Sequence, residues 1–102
     1  MIAVNVTFQY DEDFDRARVV AVAEGARAAF ERMPGLRSKV FTVDELHRRA
    51  LNFYVWDSPD AASRFFSDEM RERVTRLYGV APTIDFVEIA EIVENSATAP
   101  ES

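Results

Sequence analysis

Leu51-Asn52-Phe53-Tyr54-Val55-Trp56, followed at once by Asp57-Ser58-Pro59, reads as a strand apolar on both faces that runs straight into a capped helix. A period of two sorts its side chains into Leu51, Phe53 and Val55 on one face and Asn52, Tyr54 and Trp56 on the other. The second set joins an amide, a phenol and an indole N–H on an aromatic wall, a lining suited to a small-molecule pocket. Both faces of this strand need cover.

Working outward, Ser58-Pro59-Asp60 opens a helix, with Ser as N-cap and Pro at the first helical position. Ala62, Phe65, Phe66, Met70, Val74, Leu77 and Tyr78 continue its apolar stripe, with a break near Asp68 that starts a second short helix, and Gly79 stops it. Upstream, Leu36 to Val43 is a strand, and the short polar link from Asp44 to Arg48 makes it one arm of an antiparallel hairpin. Residues 2 to 9 alternate as a first strand, and Asp11, Glu12 and Asp13 precede a long helical pattern whose face carries Val19, Val22, Ala26, Ala29, Phe30 and Met33. Pro34-Gly35 ends that helix. Alternation returns from Thr83 to Val93 as a last strand, and Asn95 to Ser102 is a small, polar tail expected to be disordered.

The order is β-α-β-β-α-β, a split, ferredoxin-like α+β arrangement with a four-stranded antiparallel sheet carrying helices on one face, in one domain over residues 1–94. The hairpin link is too short for the crossover that a parallel sheet requires. Two helices cover only one sheet face. About six large apolar side chains left wet on the other would each forgo roughly 1.5–3 kcal/mol of burial. A second copy, sheet against sheet in a two-fold homodimer, is the simplest cover.

Composition removes several classes. The 102 residues carry a net charge of −6, which argues against nucleic acid, whose phosphates need a basic face. Eleven of the twelve basic residues are Arg and only Lys39 is Lys; Arg71, Arg73 and Arg76 are interleaved with Asp68, Glu69 and Glu72, which reads as a solvated, salt-bridged helix face. No apolar run is long enough for a membrane span, and no signal peptide is visible. The absence of Cys fits a reducing cytoplasm, and one His without Cys excludes the usual zinc sites. Glu88, Glu91 and Glu94 read as charges that guard a sheet edge.

Met33-Pro34-Gly35-Leu36, Lys39-Val40-Phe41, the passage Tyr54 to Ala62 and Phe65-Phe66-Ser67 resemble the dimeric α+β barrel superfamily, within it the small monooxygenases grouped with the antibiotic-biosynthesis monooxygenases. The resemblance covers residues 1 to about 94 and implies a cofactor-independent monooxygenase acting on a small aromatic phenol or quinol, with neither metal nor flavin. In oxygenases of that family an Asn and a Trp four residues apart on the third strand line the pocket, and Asn52 and Trp56 match that spacing as catalytic candidates. Tyr54, Phe30, Phe65, Phe66 and Tyr78 are the candidate substrate contacts, since the packing of Phe30, Phe65, Phe66 and Tyr78 over the sheet would shape the pocket. Haem-degrading members pair an Asn on the first strand with the strand-three Trp and an iron-ligating His; Asn5 and Trp56 fit two parts of that pattern, and residues 58 to 78 hold no His.

Each candidate has a plainer reading. Trp56 could be a core indole bonded to a carbonyl, and Asn52 could bond neighbouring backbone, though an amide in an apolar strand costs about 1–3 kcal/mol when it lacks partners. His47, between Leu46 and Arg48, reads as an exposed hairpin residue. A ligand-binding or regulatory dimer without chemistry is the alternative to an oxygenase.

Overall fold

In a computed structural model, which describes residues 1–95, the elements follow the expected order. They are β1 (Ile2–Gln9), α1 (Arg16–Phe30), β2 (Leu36–Asp44), β3 (Arg49–Trp56), α2 (Pro59–Phe65), α3 (Asp68–Tyr78) and β4 (Thr83–Glu88). The sheet runs β2-β3-β1-β4, every neighbouring pair antiparallel, which is the ferredoxin-like α+β fold.

Capping sets the helix starts. The Asp15 carboxylate accepts from the Arg18 N–H at 3.2 Å, so α1 is capped by Asp15 while the carboxylates at 11–13 lie in the turn before it. Ser58 and Ser67 do the same for α2 and α3, with Pro59 at the first turn of α2. The expected break falls at Phe66–Ser67, and Gly79, at φ 84°, closes α3 by donating its N–H to the Thr75 carbonyl at 2.8 Å.

Three expectations are corrected. The helical stripe through Met33 outruns the helix: α1 ends at Phe30, Glu31 is extended, and Arg32 takes φ 62°, because a helix continued to Pro34 would set its ring against the Phe30 carbonyl and Pro34 disfavours helical backbone at Met33. The last strand stops at Glu88 rather than Val93, because Glu88 already pairs with Ile2, the first residue of β1, and the ladder has no further partner. The arginines of α3 form no ion pair with Asp68, Glu69 or Glu72 among the described residues; exposed pairs of this kind gain too little to immobilise two long side chains. The expected tail, Asn95 excepted, lies outside the described residues.

Sheet parity builds the core. Val4, Val6 and Phe8 of β1 share the helix-covered face with Ala50, Asn52, Tyr54 and Trp56 of β3, all buried. A β-bulge between Leu36 and Ser38 adds one residue to β2, so Leu36 pairs with Trp56 and Lys39 with Tyr54, and both turn toward the helices despite their odd spacing. Gly35, at φ 83°, lets α2 close down on the turn; a Cβ there would sit 2.9 Å from that of Ala61. On the opposite face Val40 is 50 % exposed, and Phe53 and Val87 are each 40 % exposed. No helix among the described residues is long and apolar enough to cross a membrane.

Candidate functional site

Between this covered face and the helices lies a cavity of about 230 Å³. Its floor is Val6 and Phe8 of β1, Asn52 and Tyr54 of β3, and Lys39 and Phe41 of β2. Above them α1 contributes Val22, Ala26, Ala29 and Phe30, with Met33 just past its end. Phe65 of α2 and Met70, Val74 and Tyr78 of α3 close the other side, and the exposed Arg73 and Leu77 of α3 complete it. Small residues on α1 facing large ones on the sheet leave the space unfilled.

Asn52 is 4 % exposed and donates from Nδ2 to the Tyr78 hydroxyl at 3.1 Å. The Tyr78 ring is stacked on Phe8, centroids 3.7 Å apart and planes within 4°, and its backbone carbonyl accepts from the Tyr10 hydroxyl at 2.7 Å. Burial pushes the Tyr78 hydroxyl above the ordinary tyrosine range, against the Asn52 bond, and burial does the same to Tyr54. Both phenols therefore remain protonated donors at neutral pH. Behind Asn52 and Tyr78 a smaller hollow of about 130 Å³ runs under Val19, Val20 and Ala23 of α1.

Lys39 is the functional group that the sequence reading passed over. Its Nζ lies 2.5 Å from the Tyr54 hydroxyl and 3.7, 4.2 and 4.0 Å from the ring centroids of Phe30, Phe41 and Tyr54. Burial lowers its pKa from 10.5 to about 7. The available signal was its being the chain's one lysine, sharing the parity of Phe41 and Val43.

Of the expected site residues, Asn52, Tyr54, Phe30, Phe65 and Tyr78 come together on the cavity wall. Trp56 and Phe66 do not line it; they pack beside it, with Phe65 centroids 5.2 Å from Trp56 and 4.9 Å from Phe66. The Trp56 indole N–H is buried without a hydrogen-bond partner among the described residues. Asn5 pairs with Phe53 and Asp85 and so faces away from the helices, on the opposite side of the sheet from Trp56, which separates the two residues of the haem-type pattern. His47 sits exposed in the hairpin, its Nδ1 2.9 Å from Asp44. Among the described residues no three of His, Cys, Asp and Glu gather as metal ligands would.

Fold and cavity together define a ferredoxin-like α+β protein with an aromatic-walled chamber beneath its helices. The same fold occurs in a monooxygenase from the gene ActVA-Orf6 of Streptomyces coelicolor, solved with the ligand nanaomycin D: TM-score 0.69, 22 % identity, 93 % of this chain and 92 % of that one covered. It occurs in SnoaB, a cofactor-independent oxygenase from Streptomyces nogalater, at TM-score 0.64 and 16 % identity over 92 % of this chain and 96 % of that one. A protein of unknown function from Nitrosomonas europaea matches at TM-score 0.71 and 11 % identity over 94 % and 95 %. The resemblance carried by the sequence anchors thus reappears as a likeness of fold to antibiotic-biosynthesis monooxygenases. No family model and no curated protein matches the chain.

Proposed function

We propose that the protein is a cofactor-independent monooxygenase that oxidises a small electron-rich phenol or quinol in the cavity beneath its helices. The observation that carries this reading is the hydrogen-bonded pair of Asn52 and Tyr78 on an otherwise aromatic and aliphatic chamber of about 230 Å³. An ionised phenol is electron-rich enough to reduce dioxygen itself, so the protein has to bind it, exclude water and stabilise an oxyanion. Where the ring's keto form bears a methylene, that carbon becomes a carbonyl. One atom of dioxygen bonds to it, the O–O bond breaks, and the other atom leaves as water with both methylene hydrogens. The four electrons lost by carbon equal the four that dioxygen takes up.

In this reading Asn52 fixes the Tyr78 hydroxyl by donating to its oxygen, which leaves the hydroxyl proton for the substrate oxyanion. Tyr54 supplies a second phenol, and Phe30 and Phe65 flank the substrate ring. Trp56 acts as a positioning residue, holding Tyr54 in a near-parallel stack, centroids 6.0 Å apart, and backing Phe65. A second copy of the chain covers Val40, Phe53 and Val87, which equilibrium sedimentation at micromolar concentration tests; a monomer there removes the dimer.

Oxygen uptake by the purified protein with a panel of phenols and quinols tests the chemistry. Uptake that Asn52→Ala slows supports it. Saturable binding with no uptake across the panel replaces it with a ligand-binding protein.

A further inference from the structure

Lys39 Nζ is held in an aromatic cage rather than in an ion pair. The faces of Phe30, Phe41 and Tyr54 lie within 4.2 Å, and among the described residues Tyr54 Oη is its one hydrogen-bond partner and it forms no ion pair. Among the described residues no Asp or Glu lines the cavity, although the chain as a whole carries a charge of −6. The other ionisable groups on the cavity wall are Tyr54, Tyr78 and Arg73, and on the outer side Lys39 borders a groove with Arg27, Glu31, Arg32 and Arg37, where Glu31 is engaged by Arg27 at 3.7 Å. Burial favours the neutral amine and the ring faces oppose it only in part, so that the ammonium prevails once an anion arrives.

We infer that Lys39 accepts the proton of a phenol bound in the cavity, so that the substrate is ionised inside the protein as the partner of the lysine ammonium. This rests on the phenol reading above and supplies the proton acceptor that it lacks. The phenol O–H bond breaks, an N–H bond forms on Nζ, and the pair changes from two neutral groups to two opposite charges with no net charge brought into the apolar chamber. The ammonium donates to Tyr54 Oη, freeing the Tyr54 proton for the phenolate oxygen. The lowered pKa of Lys39 agrees with this role, because a free amine is present near neutral pH.

The test uses para-chlorophenol without oxygen at pH about 8, above the Lys39 value and below the ordinary phenol range. Binding is followed by intrinsic fluorescence, ionisation by the phenolate absorption band, and proton release by an indicator dye in weak buffer. Wild type is expected to show the phenolate band on saturation with no proton released. Lys39→Met binds the phenol in its neutral form, and Lys39→Arg, a cation that accepts no proton, shows the band with one proton released per site. A neutral bound phenol in wild type, a band that persists in Lys39→Met, or a proton released by wild type overturns the inference. If Lys39→Met does not fold, the wild-type band and proton count decide alone. Ionisation without oxygen uptake in air removes the oxygenase reading and leaves the role of Lys39 standing; oxygen uptake without a phenolate band removes the role of Lys39 alone.

Discussion

Two positions on one face of β3, four residues apart, are built in opposite ways. Around Trp56, 1 % exposed, Phe65, Phe66 and Tyr54 press against the indole and the Gly35 turn draws α2 down. Around Asn52, also buried, α1 passes overhead with Ala26 and Ala29, and the space stays open. The strand treats both positions alike; the roof makes the difference. Solid packing is bought with aromatic rings and one glycine, whereas the hollow results from small helix residues over a floor too rigid to collapse.

The comparison breaks most visibly under Trp56→Ala, which is expected to cost about 3–5 kcal/mol in denaturant unfolding because the surrounding rings cannot fill the void. Trp56→Phe is expected to cost much less, since the indole N–H has no partner among the described residues to lose. A cost for Phe equal to that of Ala would show that the N–H is in fact satisfied.

Next comes Lys39→Met, with a gain of about 1–2 kcal/mol at pH 7, part of the burial penalty being offset in wild type by the three ring faces. The folded lysine titrates at about 7 and the unfolded one at 10.5, so across that window the unfolded chain binds the extra proton and wild-type stability rises with pH; below 7 the penalty is complete. Unfolding measured between those limits should slope upward in wild type and flatten in the variant. The slope is read below the range in which the buried tyrosines, whose pKa values are raised, begin to remove stability as pH rises.

Asn52→Ala, by contrast with Trp56→Ala, should cost only about 1 kcal/mol of stability. Oxygen uptake should nevertheless fall by roughly 100-fold if the amide organises the oxyanion donor. An unchanged rate would remove Asn52 from the site. The smallest change in stability belongs to Ala26→Leu, within about 1 kcal/mol of wild type, because the added carbons enter existing space. Ligand affinity, followed by fluorescence titration, should fall sharply as the chamber fills.

The hairpin, the strand faces and the helix caps were legible because each depends on neighbours in sequence: period two in Leu51 to Trp56, and Ser-Pro at the start of α2. What was not legible depends on distant partners. The end of β4 is set by where β1 begins, which alternation through Val93 cannot reveal. The inward turn of both Leu36 and Lys39 needs a bulge that no local residue announces. Asn52 and Trp56 look equivalent on the strand, and only the height of the helices above each separates a cavity wall from a packed core.

The far end of α3 is fastened at several points: the Tyr10 hydroxyl and the Arg18 guanidinium hold the carbonyls of Tyr78 and Leu77, and Gly79 closes the last turn. Its other end begins after the interruption at Phe66–Ser67, beside Phe65 and Met70. The Ser67 cap and the buried Met70 hold that end too, so both ends of the helix are anchored and Tyr78 sits at the more heavily tied one. Under the proposed function this anchorage keeps the Tyr78 hydroxyl in register with Asn52 whatever occupies the chamber, so that alignment is inherited from the fold rather than supplied by the ligand.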